Sequence, residues 1–264
     1  MEIIDAHAHI YPAKIAEKAT EAIGNFYDIK MSMPSGVSEK LLETGKKAGI
    51  SRFIVHSCAT KSAQVRSINE FIKSEIEEHK EFLGFMTLHQ DMTEEEMQEE
   101  VDWCSKNGFH GVKLHPDFQK FYIDDEKAEK IYRAVGDKFP ILFHTGDNRY
   151  EYSKPYRLAN IAKKYRNVKF IGAHFGGYRC WDELDCYENL DNVYFDTSSS
   201  LPFISPEKAM SLIRKFGVEK FFFGTDFPMW NASEEIDRFN KLPLNETERE
   251  KIFALNVKSL LKLD

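Results

Sequence analysis

The stretch Ile3-Ile4-Asp5-Ala6-His7-Ala8-His9 begins the chain with an apolar run that ends in two histidines one residue apart. Alternate side chains of an extended strand share a face, so His7 and His9 are predicted to point the same way from one strand end. Two imidazoles at that spacing can hold one cation. Because three-residue patterns are common, two polar residues leaving a strand are the simpler interpretation unless partners follow along the chain.

Seven more short and nearly continuous apolar runs follow the first, and helical patterns separate them. They lie at 52–56, 82–89, 111–115, 140–144, 168–174, 192–196 and 221–226. Such runs are typical of parallel strands covered on both faces, and eight of them alternating with helices predict an α/β protein, a (β/α)8 TIM barrel. A doubly wound open sheet is the alternative.

A polar residue stands at the C-terminal end of each predicted strand. In chain order these residues are His9, His56, His89, His115, His144, His174, Asp196 and Asp226. Barrels build their active sites at that face from several strand ends, whereas an open sheet places its site at one switch point. The pattern therefore favours the barrel.

Not every residue at a strand end is expected to be functional. His56 and His89 are interpreted as ordinary hydrogen-bonded residues, and Asp196 as either a cap or a residue that orients a ligand. His144 and His174 are followed by glycines, which let the backbone approach a site closely. These two histidines are therefore expected to be functional.

Two segments between strands are interpreted as loops. Residues 10–37, with helical character only around 13–23, are expected to form a lid or a substrate wall. Ser198-Ser199-Ser200 lacks the G-x-S-x-G setting of a nucleophile elbow, so it is expected to be a loop of small polar residues. No Gly-rich phosphate loop follows any strand, and a nucleotide cofactor is therefore not predicted.

Composition limits the class of protein and of partner. The 264 residues are 42% hydrophobic and 30% charged, which suits a single domain over 1–264. A net charge of −7 without a Lys/Arg block argues against nucleic acid or an anionic membrane as partner. A small-molecule substrate is expected, and a homodimer is left open.

The first residues and the cysteines indicate the compartment. An apolar strand starts within three residues of Met1, and no signal peptide or run of about 18 apolar residues is visible. The four cysteines are scattered without a C-x-x-C pair, which argues against a zinc ribbon and a disulfide framework. We expect a cytoplasmic protein with reduced thiols.

The strand-end residues include a set of candidate metal ligands, namely His7, His9, His144, His174 and Asp226. Imidazoles with one carboxylate suit a divalent transition metal, with Zn²⁺ expected first and Mn²⁺ as the alternative. An open coordination position can hold a water, whose pKa the metal lowers toward about 7. Asp226 can then accept the proton of that water and deliver it to a leaving group.

Together these motifs resemble the amidohydrolase superfamily of metal-dependent barrels. Within it they are similar to the amidohydrolase-2 group, which also holds aminocarboxymuconate-semialdehyde decarboxylase and related nonoxidative decarboxylases. The resemblance covers essentially the whole chain and is carried by Asp5-Ala-His7-Ala-His9, Gly111-Val-Lys113-Leu-His115-Pro116, Phe143-His144-Thr145-Gly146, Gly172-Ala-His174-Phe-Gly176-Gly177, Tyr194-Phe-Asp196-Thr197 and Phe223-Gly-Thr-Asp226-Phe-Pro228.

The resemblance implies roles for individual residues. It assigns the metal to His7, His9, His144 and Asp226. Asp226 would double as the proton shuttle, and His174 would polarise the substrate or bind a second metal.

On this basis we expect a metal-dependent hydrolase of a small, carboxylate-bearing amide, lactone or cyclic imide, in which Asp226 and His174 are the catalytic residues. A nonoxidative decarboxylase that uses the same metal site is the alternative. A barrel that binds a metal or ligand without catalysis is a third hypothesis, which an intact ligand set argues against.

Substrate contacts are expected from the βα loops and from strand four. The candidates are Lys113, His115, Arg149 and Arg179, with the loop aromatics Tyr11, Tyr150, Tyr178 and Trp181. The loop residues are interpreted either as the groups that hold a ring and a carboxylate or as ordinary loop surface.

The number of metal ions depends on Lys113. Strand four is similar to that of binuclear barrels such as dihydroorotase, in which this lysine is carboxylated and bridges two metals. A free ammonium repels a metal, so Lys113 can be a ligand only after it loses a proton and takes up CO₂. We predict an unmodified Lys113 and one metal ion per chain; a carbamate in refined density together with about two metals per chain would contradict this.

Overall fold

Eight parallel β-strands form one sheet in the order β1 to β8 in the computed structural model, which describes residues 1–264. The strands are β1 (Ile4–His9), β2 (Arg52–His56), β3 (Phe82–Thr87), β4 (Gly111–Leu114), β5 (Ile141–Phe143), β6 (Phe170–Gly172), β7 (Val193–Asp196) and β8 (Phe221–Phe222). Backbone hydrogen bonds from Ala6 N to Phe223 O and from Asp226 N to His7 O, both of 2.8 Å, link β1 to the chain around β8. The predicted (β/α)8 TIM barrel is confirmed, and the open sheet is wrong.

Helices connect the strands. They are α1 (Ala13–Tyr27), α2 (Ser38–Ala48), α3 (Val65–Glu78), α4 (Glu94–Lys106), α5 (Pro116–Gln119), α6 (Glu126–Val135), α7 (Pro155–Lys164), α8 (Pro206–Phe216), α9 (Ala232–Asn240), α10 (Glu246–Glu250) and α11 (Asn256–Leu261). Short 3₁₀ turns lie at Ser62–Gln64, His174–Gly176, Leu184–Tyr187 and Val218–Lys220, and a π-helical turn lies at Lys251–Leu255.

Two helical segments differ from the sequence expectation. The loop expected over 10–37 contains the whole of α1, with 15 residues, because its helical pattern extends beyond the segment recognised in the sequence. Helix α5 was not predicted. It begins at Pro116, a favourable first residue, and the His115 ring accepts a hydrogen bond from Phe118 N.

Strands β5, β6 and β8 end earlier than predicted, before the polar residues that were expected at their C-terminal ends. His144 follows β5 directly, His174 lies beyond β6 in a 3₁₀ turn, and Asp226 lies beyond β8. The backbone φ angles of His174 and Asp226 are 62° and 60°, so the chain has left the extended conformation at these two positions. The candidate side chains therefore lie just beyond the ends of these strands.

The chain forms two compact units. The first comprises Met1–His56, His79–Leu83 and Thr197–Asp264, and the second comprises Ser57–Glu78 and Gly84–Asp196. The prediction of one domain over 1–264 stays a prediction. All four cysteines are free thiols, and none of the helices has both the length and the apolar character needed to cross a membrane.

In the first unit, a buried carboxylate joins β1 to the residues after β8. Asp5 Oδ1 accepts hydrogen bonds from the backbone N atoms of His7 (3.0 Å) and Thr225 (2.9 Å). Asp5 Oδ2 accepts a further bond of 2.5 Å from Thr225 Oγ1. Three donors compensate the cost of burying the charge, so Asp5 aligns the start of the histidine pair with the segment that carries Asp226.

In the second unit, the Asn69 side chain connects α3, β3 and α4. Its Nδ2 donates to Thr87 O at 3.0 Å and to Glu100 Oε1 at 2.8 Å. Its Oδ1 accepts from Thr87 N at 2.8 Å. Asn69 is fully buried, so its amide satisfies backbone groups that water does not reach.

We predict that Asn69→Ala lowers the free energy of unfolding by about 2–4 kcal/mol, because it leaves the buried N–H and C=O of Thr87 unsatisfied. Urea denaturation measures the change. The control is Asn160→Ala, which removes an exposed amide that contacts Asp124 and should cost about 0.5 kcal/mol or less. Equal losses in both variants would contradict the role of Asn69.

Candidate metal centre

Three donor atoms of the first unit converge at the end of β1. His7 Nε2 and His9 Nε2 lie 3.3 Å apart. Asp226 Oδ1 lies 3.4 Å from His7 Nε2 and 3.3 Å from His9 Nε2. In a tetrahedral site with metal–ligand distances of about 2.0–2.2 Å, neighbouring ligand atoms lie roughly 3.3–3.6 Å apart. The triangle therefore has the size expected for three ligands of one transition-metal ion.

Local structure explains how these three side chains meet. His7 and His9 alternate along β1 and share a face, as the H-x-H spacing predicts. The bond from Asp226 N to His7 O, at 2.8 Å, holds the aspartate beside the first histidine. All three residues are buried, so little water competes for the donor atoms.

The second nitrogen of His7 contacts a hydroxyl. Ser198 Oγ lies 3.1 Å from His7 Nδ1. A partner at Nδ1 orients the ring and leaves Nε2 to face a metal, an arrangement typical of metal-binding histidines. The serine run expected to be an ordinary polar loop thus contributes a buried hydroxyl to the site, a contact that the one-dimensional pattern did not indicate.

His56 is also part of this cluster. Its ring centroid lies 4.9 Å from that of His7 and 4.4 Å from that of His9. Ligand atoms of His7, His9 and His56 lie within 4.8 Å of one another. The register of β1 with β2 places His56 opposite His9. The expectation that His56 is an ordinary strand-end residue stays a prediction.

A third buried carboxyl group lies in the first unit. Glu235 in α9 is fully buried, and burial raises its pKa to about 7. Asp226 and Asp5 raise this pKa further, whereas Arg238 opposes the shift. Several acidic groups in a region of low dielectric favour the binding of a cation. The donor set and its surroundings therefore fit a divalent metal.

In the second unit, the structure brings His144 and His174 together. His144 Nδ1 and His174 Nε2 lie 3.0 Å apart, and both residues are buried. Two side chains bond to the backbone of His174 in its left-handed conformation. The N atom of His174 donates to Asp196 Oδ1 at 3.0 Å, and its O atom accepts from Trp181 Nε1 at 2.9 Å. Asp196 therefore orients the backbone of His174, which specifies the role left open in the sequence.

Asp117 is a further buried acid in the second unit that the sequence did not single out. Its Oδ2 lies 3.4 Å from His144 Nε2 and accepts a hydrogen bond of 2.6 Å from Ser153 Oγ. Burial raises the pKa of Asp117 to about 7, although the Ser153 hydroxyl opposes the shift. The only feature of the sequence that could have indicated Asp117 is its position directly after the strand-end motif that ends at Pro116.

Two of the predicted substrate residues lie within the second unit's core. Lys113 is fully buried in β4, where it pairs with Thr87 and Leu142 of the neighbouring strands. The His115 ring stacks on that of His144, with centroids 4.1 Å apart and planes 7° apart. His115 therefore supports His144 by packing. A contact of either residue with substrate stays a prediction.

The two loop arginines have different surroundings. Arg149 forms two bonds to the Asp147 carboxylate, from Nε to Oδ1 at 3.0 Å and from NH2 to Oδ2 at 2.7 Å. Arg179 is exposed, and its guanidinium lies 5.4 Å from the centroid of the Tyr178 ring. The pairing with Asp147 occupies much of Arg149's donor capacity. A contact of either arginine with substrate stays a prediction.

His89 has a local structural role, as expected. Its Nδ1 accepts a hydrogen bond of 3.2 Å from Asp91 N, within the turn after β3. Burial lowers the pKa of His89, so the ring is predominantly neutral at pH 7.

Comparison with solved structures finds the same fold in several proteins, two of which are decarboxylases. A dihydroxybenzoic acid decarboxylase from Polaromonas sp. JS666, with bound manganese and the inhibitor 2-nitroresorcinol, has a TM-score of 0.77 and 18% identity over 99% of this chain and 97% of that one. A 5-carboxyvanillate decarboxylase from Sphingomonas paucimobilis has a TM-score of 0.78 and 11% identity over 100% and 99%. An uncharacterised TIM-barrel protein from Bordetella bronchiseptica has a TM-score of 0.81 and 17% identity over 99% of both chains.

No curated protein matches the sequence. The family model described as amidohydrolase, however, matches residues 4–263. The match spans β1 to α11 and includes every candidate ligand. The chain is therefore an enzyme of the amidohydrolase family.

Proposed function

We propose that this enzyme is a nonoxidative decarboxylase that uses a divalent metal to remove the carboxylate of a small aromatic acid. The observation that carries the proposal is the triangle of His7, His9 and Asp226 donor atoms, which has the size of a transition-metal site. The decarboxylases of similar fold supply the choice of reaction. They support the decarboxylase alternative better than the hydrolase that was expected first from the sequence.

In the proposed site His7, His9 and Asp226 hold the ion, and Mn²⁺ replaces Zn²⁺ as the first choice because manganese is bound in decarboxylases of similar fold. A divalent ion supplies positive charge that binds substrate oxygens and stabilises negative charge as it develops. The further expectation that His144 and His174 bind metal stays a prediction.

The proposed reaction has two steps, loss of CO₂ and protonation of the ring carbon. The bond between the ring and the carboxylate carbon breaks, and its electron pair stays on the ring carbon while CO₂ leaves. That carbon then takes a proton from a general acid. His174 and Asp226 are the proposed acids.

The contact between His174 and His144 suits proton transfer. A separation of 3.0 Å between His174 Nε2 and His144 Nδ1 lets the two imidazoles share one proton. Because both rings are buried, a proton held there exchanges with bulk water less readily than one on an exposed ring. His174 is therefore proposed to deliver the proton, with His144 as its support.

Aromatic side chains stand beside the histidines in both units. In the first unit the Tyr11 ring lies 6.4 Å from the His9 ring, with planes 14° apart. In the second unit the Tyr178 ring lies 5.7 Å from the His174 ring. Flat apolar walls of this kind suit an aromatic substrate better than a flexible aliphatic one.

The decisive assay is a panel of hydroxybenzoates incubated with the Mn²⁺-loaded enzyme in D₂O. We expect CO₂ release with one deuterium placed on the ring carbon that lost the carboxylate. Amides and lactones in H₂¹⁸O form the opposing panel. Label in a new carboxylate, without CO₂ release from any benzoate, would contradict the proposal and restore the hydrolase.

The second expected outcome concerns the metal. Purified enzyme should contain at least about 0.5 equivalents of a transition metal, and His7→Ala should reduce the content sharply because the site loses one of three ligands. Elemental analysis measures this. His110→Ala is the control, since His110 precedes the amino end of β4 and lies outside the candidate ligand set. A metal-free wild-type enzyme with full activity would contradict the metal mechanism.

Asp226→Asn should leave the fold and much of the metal in place while lowering kcat by roughly 10²-fold or more, the scale of lost acid–base catalysis. The measurement combines kcat with metal content and the unfolding temperature of the same preparation. Turnover at the wild-type rate would remove Asp226 from the proposed acids and leave His174 as the proton donor.

A further inference from the structure

We propose that Ser199, held by Trp230, is a positioning residue that restricts Asp226 to binding the metal through one carboxylate oxygen. The inference rests on the proposed metal site. It concerns residues of the first unit only, and it adds two residues to the candidate site that neither the sequence motifs nor the ligand triangle identified.

A short chain of hydrogen bonds connects the three side chains. Trp230 Nε1 donates to Ser199 Oγ at 2.8 Å. Ser199 Oγ donates to Asp226 Oδ2 at 2.5 Å. The other carboxylate oxygen, Oδ1, faces the Nε2 atoms of His7 and His9. The two oxygens of Asp226 are thus directed to different partners.

Trp230 determines which way the Ser199 hydroxyl points. The indole N–H is a donor only, so Ser199 Oγ must accept at that contact and its own O–H is left to donate elsewhere. Two acceptors are in reach, Asp226 Oδ2 at 2.5 Å and Met229 Sδ at 3.3 Å. The carboxylate is the stronger acceptor, because a thioether sulfur accepts weakly whereas a charged oxygen strengthens the bond.

The Trp230 ring is itself held in place. The Phe203 ring packs edge-on against it with centroids 5.6 Å apart, and the Arg238 guanidinium lies 5.4 Å from its centroid. The donor that orients Ser199 therefore has little freedom to turn away. Ser199 is buried, which excludes water as a substitute donor to Asp226.

The backbone supports the same conclusion. Ser199 has a φ of 49° and Asp226 a φ of 60°, a left-handed conformation that residues with a Cβ adopt at a cost. Strained backbone persists where the surroundings enforce it. Because both residues of one hydrogen bond have this conformation, we infer that the contact between their side chains helps to maintain it.

The consequence is a carboxylate with one available oxygen. Because Oδ2 already accepts from Ser199, the Asp226 group cannot rotate to present both oxygens without losing that bond. One-oxygen binding would leave a further coordination position for substrate. The neighbouring Ser198 orients His7 through Nδ1, so adjacent serines position two different ligands.

The test is the affinity of the full-length metal-free protein for Mn²⁺ alone, measured by titration with electron paramagnetic resonance detection of free Mn²⁺. Ser199→Ala should raise the Kd by about 10–100-fold, the range found when partners of metal ligands are removed. Trp230→Phe, which keeps a ring but removes the donor, should change the Kd in the same direction by a smaller factor.

Two further variants separate positioning from a merely structural effect. Ser199→Gly removes the same hydroxyl and suits the left-handed backbone, so it should fold at least as well as Ser199→Ala and show the same loss of affinity. Ser200→Ala removes a buried hydroxyl of the same turn that donates to Ser198 O at 3.0 Å. The Kd of this variant should stay within about twofold of the wild-type value, because the bond of the Ser200 hydroxyl goes to a backbone oxygen and not to the side chain of a candidate ligand.

Wild-type affinity in both Ser199 variants would overturn the proposal, as would an equal loss in Ser200→Ala. The Mn²⁺ affinities are measured without substrate, so this test does not depend on which reaction the enzyme catalyses. A wild-type protein that binds Mn²⁺ but decarboxylates no substrate would contradict the proposed function, while weakened binding in the Ser199 variants would still support the positioning role.

Discussion

The candidate site depends on the hydrogen-bonded connection between β1 and the chain after β8. Asp5 accepts three bonds that align Thr225 with the backbone of His7, and Asp226 N then donates to His7 O. Without this connection the two imidazoles of β1 would have no carboxylate beside them. The buried Asp5 carboxylate thus aligns the two segments whose candidate ligands meet.

Left-handed backbone recurs at the functional strand ends. His174, Ser199 and Asp226 have φ angles of 62°, 49° and 60°, and such positions cost of order 1–3 kcal/mol each. Each is held by a specific contact: Asp196 for His174, Trp230 for Ser199 and the His7 carbonyl for Asp226. Sharp turns after short strands bring side chains together that an extended chain would point apart.

The two units use similar means to prepare their histidines. Ser198 contacts the Nδ1 of His7, and Asp117 lies beside the Nε2 of His144. In both cases a buried polar group lies beside one ring nitrogen and helps to orient the ring.

The sequence alone determined the barrel, the family and the histidine pair on β1, because strand alternation and strand-end polarity are local patterns that one chain displays directly. Tertiary structure decided the rest. His56 joins His7 and His9 only through the register of two strands, and Ser199 reaches Asp226 across 27 residues. Such contacts depend on distances between segments far apart in the chain, and no local pattern encodes those distances.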